Sequence, residues 1–290
     1  MIYTKISGTG SYAPSNVVTN DDLAKIVETS DEWIESRTGI KKRHISTGEY
    51  TVDLAEKAAN LAIKNPKIDK SKIDLVIVAT VTPDNAFPGV SNLLQKRLGL
   101  NEIMTFDINA ACSGFVYALN IADKMIKSGA FHNALIVGAE TLTRLTDWSD
   151  RNTCVLFGDA AGAMVISSST ENNILDVITG SVSDDLGYLI CKNPELKDPS
   201  ENKVSKQVHI HMNGREVFKF ATRIMPKTID DLLTRNQMSK EDLDYVVAHQ
   251  ANKRIIQKAA KDLGMPMSKM YMNIAEYGNT SAASVPLAID

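Results

Sequence analysis

The segment Ser71-Lys-Ile-Asp-Leu-Val-Ile-Val78 returns in outline as Ser239-Lys240 followed by Leu243-Asp-Tyr-Val-Val-Ala248. Each copy is an apolar run that reads as a buried strand. Each leads into a helix-period stretch that holds Gln-Lys (Gln95-Lys96; Gln257-Lys258) and closes on Leu-Gly (Leu98-Gly99; Leu263-Gly264). Each then reaches a small-residue turn, Ala110-Ala-Cys-Ser-Gly114 in one and Gly278-Asn-Thr-Ser-Ala282 in the other. Such self-similarity implies two βα units built on one plan. Related by a pseudo-twofold axis, Cys112 and Asn279 occupy equivalent strand-to-helix turns. His249 follows the strand Leu243–Ala248 and precedes the helix Ala251–Leu263. All three then stand at the C-terminal ends of strands, where open α/β sheets place ligands.

Strand alternates with helix around this repeat. Met1–Ser11 reads as a strand. Asn20 caps a helix through Val27, and Ser30 caps a second that holds Trp33 and Arg37 and ends at Gly39. Lys41-Lys-Arg-His44 reads as a solvated loop. Thr51–Lys64 is an amphipathic helix, Asp74–Thr80 a buried strand, Val90–Leu98 a helix and Ile103–Asn109 a strand. The helix after Cys112 runs to about Ser128, and Leu135–Ala139 is the next strand. This alternation implies a layered α/β fold with largely parallel pairing. Further on, Phe157–Gly162 is a small-residue turn before the strand Ala163–Ser167, and Ile174–Ser183 is expected to pair with that strand. Asp184–Val204 reads as a long polar excursion and Gln207–Met212 as a short strand. Asn213 caps a long helix through about Arg235.

The 290 residues suffice for one or two domains. A net charge of −3 gives no global field for nucleic acid. No apolar run has the length of a membrane span, and the N-terminus lacks a signal-peptide pattern. The three cysteines, Cys112, Cys154 and Cys191, cannot all pair within the chain and lack metal-ligand spacing. No metal is expected, and a reducing cytoplasm is the expected setting.

Cys112 lies between an apolar strand and a helix whose Phe115, Ala118, Leu119, Ala122, Met125 and Ile126 fall at helical spacing. Unpaired N–H groups and the positive end of the helix dipole gather at such a junction and favour a thiolate. On this stretch alone Cys112 reads equally well as a nucleophile and as a buried structural thiol. A nearby histidine raises the thiolate fraction, and His and Asn side chains donate hydrogen bonds to an oxyanion. Cys112, His249 and Asn279 together therefore suit acyl transfer through a thioester, although Asn279 alone reads equally as a turn residue.

Asp107–Gly114, His249-Gln-Ala-Asn252 and Tyr277-Gly-Asn-Thr-Ser-Ala-Ala-Ser284 together resemble the β-ketoacyl-[acyl-carrier-protein] synthase III family. Gly8–Pro14, Asp31–Ile40, Phe157–Gly162 and Met212–Phe218 carry the resemblance along the chain. It implies an α/β, thiolase-like fold: two duplicated βαβαβ halves packed as a five-layer α-β-α-β-α sandwich. Residues 1–170 would form the half with the nucleophile Cys112, and residues 171–290 the half with His249 and Asn279. It also implies an acyltransferase that condenses an acyl-CoA primer with malonyl-acyl carrier protein, with loss of carbon dioxide, to start type II fatty-acid synthesis. No cofactor is implied. A related condensing enzyme of specialised metabolism and a non-catalytic acyl-carrier-binding relative are the alternatives.

The resemblance further implies CoA contacts at Trp33, Arg37, Arg151, Phe218 and Asn252. It implies an acyl pocket walled by Leu142 and Phe157, with Phe87 lent to the partner of a homodimer. Lys253, Arg254, Lys258 and Lys261 give one helix four cations against the single acid Asp262. With Lys219 they are expected to steer an acidic carrier protein. The family continues past the helix that begins near Ser281 with two strands and a Gly-rich turn. Since this sequence stops at Asp290, a C-terminally incomplete member is expected.

Overall fold

The computed structural model describes residues 1–64, 68–194 and 208–290. The first part of the chain runs β1 (Tyr3–Tyr12), β2 (Val17–Thr19), α1 (Asn20–Leu23), α2 (Asp31–Thr38), β3 (Lys42–His44) and α3 (Thr51–Ile63). It continues with β4 (Leu75–Ala79), α4 (Val90–Leu98), β5 (Met104–Ile108), α5 (Gly114–Lys127), β6 (Asn133–Glu140), α6 (Arg151–Cys154) and β7 (Ala160–Ser169). The second part holds β8 (Leu189–Ile190), β9 (His211–Met212), α7 (Gly214–Arg235), β10 (Val246–Val247), α8 (Lys253–Leu263), β11 (Met270–Tyr271), α9 (Ile274–Tyr277) and α10 (Ser284–Ile289).

One sheet, in the order β1-β7-β6-β4-β5, carries the first part. All five residues of β4 are fully buried, as its unbroken apolar run requires of a strand covered on both faces. Each such Val, Leu or Ile contributes about 1.5–3 kcal/mol through burial. Val76, Val78, Leu135 and Val137 face α3 and α4, while Leu75, Ile77, Ala134 and Ile136 face α5. The helix α10 lies on the α5 side too: a Cβ on Gly162 of β7 would sit 2.7 Å from Leu287 N. The helices that follow the two small-residue turns thus share one face of the sheet.

The pairing is mixed, not largely parallel. β4 runs parallel to β5 and β6, whereas β7 is antiparallel to both β6 and β1. A parallel return needs a long crossover, usually helical. The β6–β7 connection offers only a 3-10 turn, Leu142–Leu145, and the four-residue α6, and the chain doubles back. β7 begins at Ala160, three residues earlier than expected, which shortens the turn before it. Ile174–Ser183 forms no strand, because both edges of β7 are already taken by β1 and β6. Instead it lies along α5, with Tyr117 Oη donating to Gly180 O at 2.8 Å and Asn120 Nδ2 to Thr179 Oγ1 at 3.1 Å.

Two local readings also change. Thr19, not Asn20, caps α1, in a reciprocal box with Asp22. Asn20 is buried, its amide donating to Asp31 Oδ1 and Ile40 O, both at 2.8 Å, and the helix ends at Leu23 rather than Val27. The basic run Lys41–His44 is no solvated loop. Lys42–His44 pairs with β2, and Arg43 is fully buried, donating to Val18 O at 3.2 Å and Val155 O at 2.9 Å. Burial pushes its guanidinium down to about 10, still charged at neutral pH. Ser30 caps α2, Gly39 (φ +83°) ends it, and Asn213 caps α7, as the residue types require. In the second part the described strands that pair in parallel are the two-residue β10 and β11, shorter than the run Leu243–Ala248. The polar excursion falls partly, at 195–204, outside the described residues, as does Gln207; the strand beyond it is reduced to His211–Met212.

Candidate active site

Cys112 is the middle residue of a 3-10 turn, Ala111–Ser113, that links β5 to α5. Ala111 has φ +46°, a left-handed conformation that non-glycine residues rarely adopt and that clusters at functional sites. Ser113 caps α5 with no side-chain hydrogen bond, and the 3-10 turn itself takes up the first N–H groups, Ser113 N donating to Ala110 O at 3.1 Å and Gly114 N to Ala111 O. Gly114 permits this approach. A Cβ there would lie 2.9 Å from Ala79 Cβ and 3.6 Å from Ala282 Cβ. Asp107 fixes the strand beneath by accepting from Val90 N at 2.6 Å and Ser91 N at 2.7 Å at the start of α4.

The second turn has the same backbone. Ser281 has φ +47°, and Ser281–Ala283 is again a 3-10 turn leading into a helix. Asn279 Oδ1 accepts from Ser281 N at 2.9 Å, just as Asn109 Oδ1 accepts from Ala111 N at 3.3 Å. The turns are equivalent, but the residues are offset: Asn279 matches Asn109, and Cys112 matches Ala282. Asn279 is also held along its backbone. Its N–H donates to Leu156 O at 2.9 Å and its C=O accepts from Gly158 N at 3.1 Å, which leaves its side-chain amide nitrogen without a protein partner among the described residues.

Burial raises the Cys112 thiol, but the charge of His249 and hydrogen bonds from His249 and Ser281 outweigh it, and the thiol lies below its ordinary value. His249 Nδ1 is buried without a partner. The buried Gln250 fixes the backbone beside it. Its N–H donates to Ser284 Oγ at 2.7 Å, its side-chain amide nitrogen to Ala248 O at 2.9 Å and Tyr271 O at 3.2 Å, and its Oε1 accepts from Asn273 N at 3.0 Å. Next to Cys112 opens a cavity of about 370 Å³, walled by Val81, Leu142, Phe157 and Ile210 and bounded by Ser281. Phe87 is 86% exposed and does not line it.

A second cavity, about 400 Å³, opens between α2 and α8, with Glu32, Glu35, Ser36, Lys253 and Arg254 around it. Beside it the five residues expected to contact CoA form one chain of contacts. The Arg37 and Arg151 guanidiniums lie 4.8 and 5.0 Å from the Trp33 ring centroid. Asn252 caps α8, donating to Arg37 O at 3.0 Å and accepting from Arg254 N at 2.8 Å, and Arg254 lies 5.8 Å from the Phe218 ring centroid. Of the basic residues on α8, Lys258 is paired with Asp262, while on α7 Lys219 is paired with Glu216 at 2.7 Å. Among the described residues no cluster of His, Cys, Asp or Glu is arranged to hold a metal ion.

Residues 106–183 match the family model described as 3-oxoacyl-[acyl-carrier-protein (ACP)] synthase III, and residues 233–290 match the model of its C-terminal part. The chain is 49% identical over 287 residues to the β-ketoacyl-[acyl-carrier-protein] synthase III of Clostridium acetobutylicum, covering 99% of this chain and 88% of the relative. The chain belongs to the β-ketoacyl-[acyl-carrier-protein] synthase III family. The crystal structure of the Aquifex aeolicus 3-oxoacyl-[acyl-carrier-protein] synthase III superposes with a TM-score of 0.85 at 43% identity, over 99% of this chain and 89% of that one. The priming β-ketosynthase of the R1128 polyketide biosynthetic pathway superposes with a TM-score of 0.93 at 34% identity, over 99% and 86%. The thiolase-like α/β fold expected from the sequence stands.

Within this synthase III framework, sequence reasoning missed Ser281 and Gln250. Ser281 carried a signal, since it occupies in the second turn the place of Ala111, one residue before the position matching Cys112. Gln250, beside His249, carried none: apart from its bond to Ala248 O, its bonds reach segments 21 to 34 residues away.

Proposed function

We propose that Cys112 is the acyl-accepting nucleophile and that His249 and Asn279 are the oxyanion donors of the condensation step. The observation that carries this reading is the Cys112 thiol itself, lowered by His249 and Ser281 and opening onto a cavity with apolar walls. The chain is a condensing acyltransferase, a β-ketoacyl-[acyl-carrier-protein] synthase III. The Cys112 thiolate attacks the thioester carbonyl of an acyl-CoA primer, and the CoA thiolate leaves. Malonyl-acyl carrier protein then enters. His249 and the free amide of Asn279 donate to its thioester carbonyl oxygen. Loss of carbon dioxide leaves an enolate, which these donors stabilise as charge develops. The enolate carbon attacks the acyl-Cys112 carbonyl, and the thiolate is released with the β-ketoacyl product. The thioesters and the departing carboxylate drive these steps without a metal or redox cofactor.

Trp33, Arg37, Arg151, Phe218 and Asn252 are our assignment for the CoA nucleotide and pantetheine arm. Stacking and cation–π contact at Trp33 supply the affinity for adenine. Lys253, Arg254 and Lys261 carry no ion pair among the described residues, and with the paired Lys219 and Lys258 they form the rim for an acidic carrier. Leu142 and Phe157 wall the acyl pocket. β5 is an edge strand with one face of its ladder unpaired, which supports a homodimer with Phe87 entering the partner's pocket. The sheet β1 to β7 falls within residues 3–169, which supports a division at 170. No described helix is long and apolar enough to cross a membrane, and the three cysteines are free; a cytoplasmic setting fits both.

Mass spectrometry after incubation with acetyl-CoA tests the assignment. An acyl adduct on the wild type that is absent from Cys112→Ser is expected; a wild type that never labels would overturn it. The match to the R1128 priming ketosynthase favours, as a second reading, a primer destined for polyketide synthesis. The carrier protein that the chain accepts from its own organism decides between the two.

A further inference from the structure

Glu140, the last residue of β6, is fully buried, and its contacts serve one purpose. In the parallel register Ala79 stands opposite Gly138, so Glu140 faces the point where β4 has just ended. Its carboxylate takes over from the ladder there. Oε2 accepts from Thr82 Oγ1 at 2.8 Å, from Thr80 Oγ1 at 3.2 Å and from Val81 N at 3.1 Å, and Oε1 accepts from Val81 N at 3.2 Å. The bend it holds is braced from the other side. Thr82 Oγ1 accepts from Thr141 N at 2.9 Å, and Thr51 Oγ1 donates to Thr82 O at 2.6 Å. Val81 and Leu142, the residues carried by this arrangement, are two walls of the cavity that contains Cys112.

We propose that Glu140 is a positioning residue for acyl selection: its carboxylate sets where Val81, and through Thr82 and Thr141 also Leu142, stand in the pocket. The proposal rests on the reading that this cavity receives the primer's acyl group. Glu140 touches no reacting atom, so its effect is on which primer fits. A buried carboxyl group is a costly way to fill space between two strands unless all its acceptors are used. Burial, with the neighbouring thiolate adding to it, raises Glu140 to about 7. The carbonyl oxygen can hold Val81 N and a threonine hydroxyl in either protonation state.

The test compares wild type, Glu140→Gln and Glu140→Ala in acyl transfer to Cys112 from acetyl-CoA and from hexanoyl-CoA, read by mass spectrometry and as separate KM and kcat values. Released from its anchor, Val81 yields to a longer chain. Glu140→Ala should shift the hexanoyl-to-acetyl ratio of kcat/KM upward by about tenfold, the scale on which apolar pockets discriminate by a methylene. The change should fall mainly in the KM for hexanoyl-CoA. Glu140→Gln, which keeps an acceptor oxygen in place, should stay within about threefold of wild type. Should the Ala variant fail to fold, Glu140→Asp retracts the carboxylate by one methylene and is read the same way. A folded Ala or Asp variant with the wild-type ratio overturns the proposal, as does a Gln variant shifted as far as Ala. A wild type that takes no acyl group on Cys112 overturns instead the acyl-pocket reading beneath it.

Discussion

In the turn Asn109–Gly114 and in the turn Asn279–Ser284 the asparagine accepts from the N–H two residues on, the third residue has φ near +46°, and a 3-10 bend opens into a helix. Their surroundings differ. Asn109, Ala111 and Ser113 are exposed and Cys112 is half-buried, whereas all of Asn279–Ser284 is buried. The second turn presses on the sheet so closely that a Cβ at Gly138 would collide with the Ala282 carbonyl. One backbone device therefore serves two ends. In the roles proposed above, the open turn offers a thiol to substrate and the closed turn supplies an amide from a buried segment. On that proposal the reactive thiol falls at the more exposed turn and the oxyanion donor at the one that packing holds still, as preorganised stabilisation requires.

This contrast can be broken at either turn. The largest effect is expected from Asn279→Ala, which should lower condensation by about a hundredfold to a thousandfold, roughly 3–4 kcal/mol. Cys112 should still take the acyl group from acyl-CoA; loss of both activities together would show that Asn279 acts by holding the turn rather than by donating to an oxyanion. Gly138→Ala should come next. It should force the closed turn away from β6, costing about 1–3 kcal/mol of stability by overpacking, read in a denaturant midpoint. A third test asks what activates the open turn. The Cys112 thiol is lowered, so wild-type alkylation by iodoacetamide should proceed at pH values below the ordinary thiol range. Without His249, the opposing effect of burial dominates and the thiol becomes harder to ionise. His249→Ala should therefore slow alkylation at pH 7 by about tenfold, and the gap should close only as pH rises past the ordinary thiol range. Equal rates at pH 7 would remove His249 as the activator.

Much of this was legible before the structure. The sheet strands β4, β5 and β6 and the helices α3, α4 and α7 follow from apolar runs, periodicity and caps, because these signals are local. The place of Cys112 was legible for the same reason, as a thiol between a strand and a helix. What escaped depends on distant partners. Arg43 read as solvated because charge normally seeks water, but its two terminal guanidinium nitrogens donate to carbonyls 25 and 112 residues away. Glu140 read as a strand end, and its hydrogen-bonding partners lie 58 to 60 residues away. The strand Ile174–Ser183 had suitable composition but no vacant edge. The repeat was visible, yet alignment on its small residues paired Cys112 with Asn279. Only the backbone shows the three-residue offset that pairs Asn279 with Asn109.

That offset sets the finest test of the comparison. Asn109 and Asn279 make the same local hydrogen bond, so their shared structural part can be separated from the catalytic part of one. Asn109→Ala removes an acceptor from Ala111 N at 3.3 Å in an exposed turn where water can replace it. The cost should be under about 1 kcal/mol in stability, with condensation within a few-fold of wild type. If the turn bond itself positioned Cys112, Asn109→Ala would fall toward the level of Asn279→Ala, and the difference between the two turns would be one of strain rather than chemistry. A small effect at Asn109 beside a large one at Asn279 would assign the loss to the Asn279 amide rather than to the hydrogen bond that the two turns share.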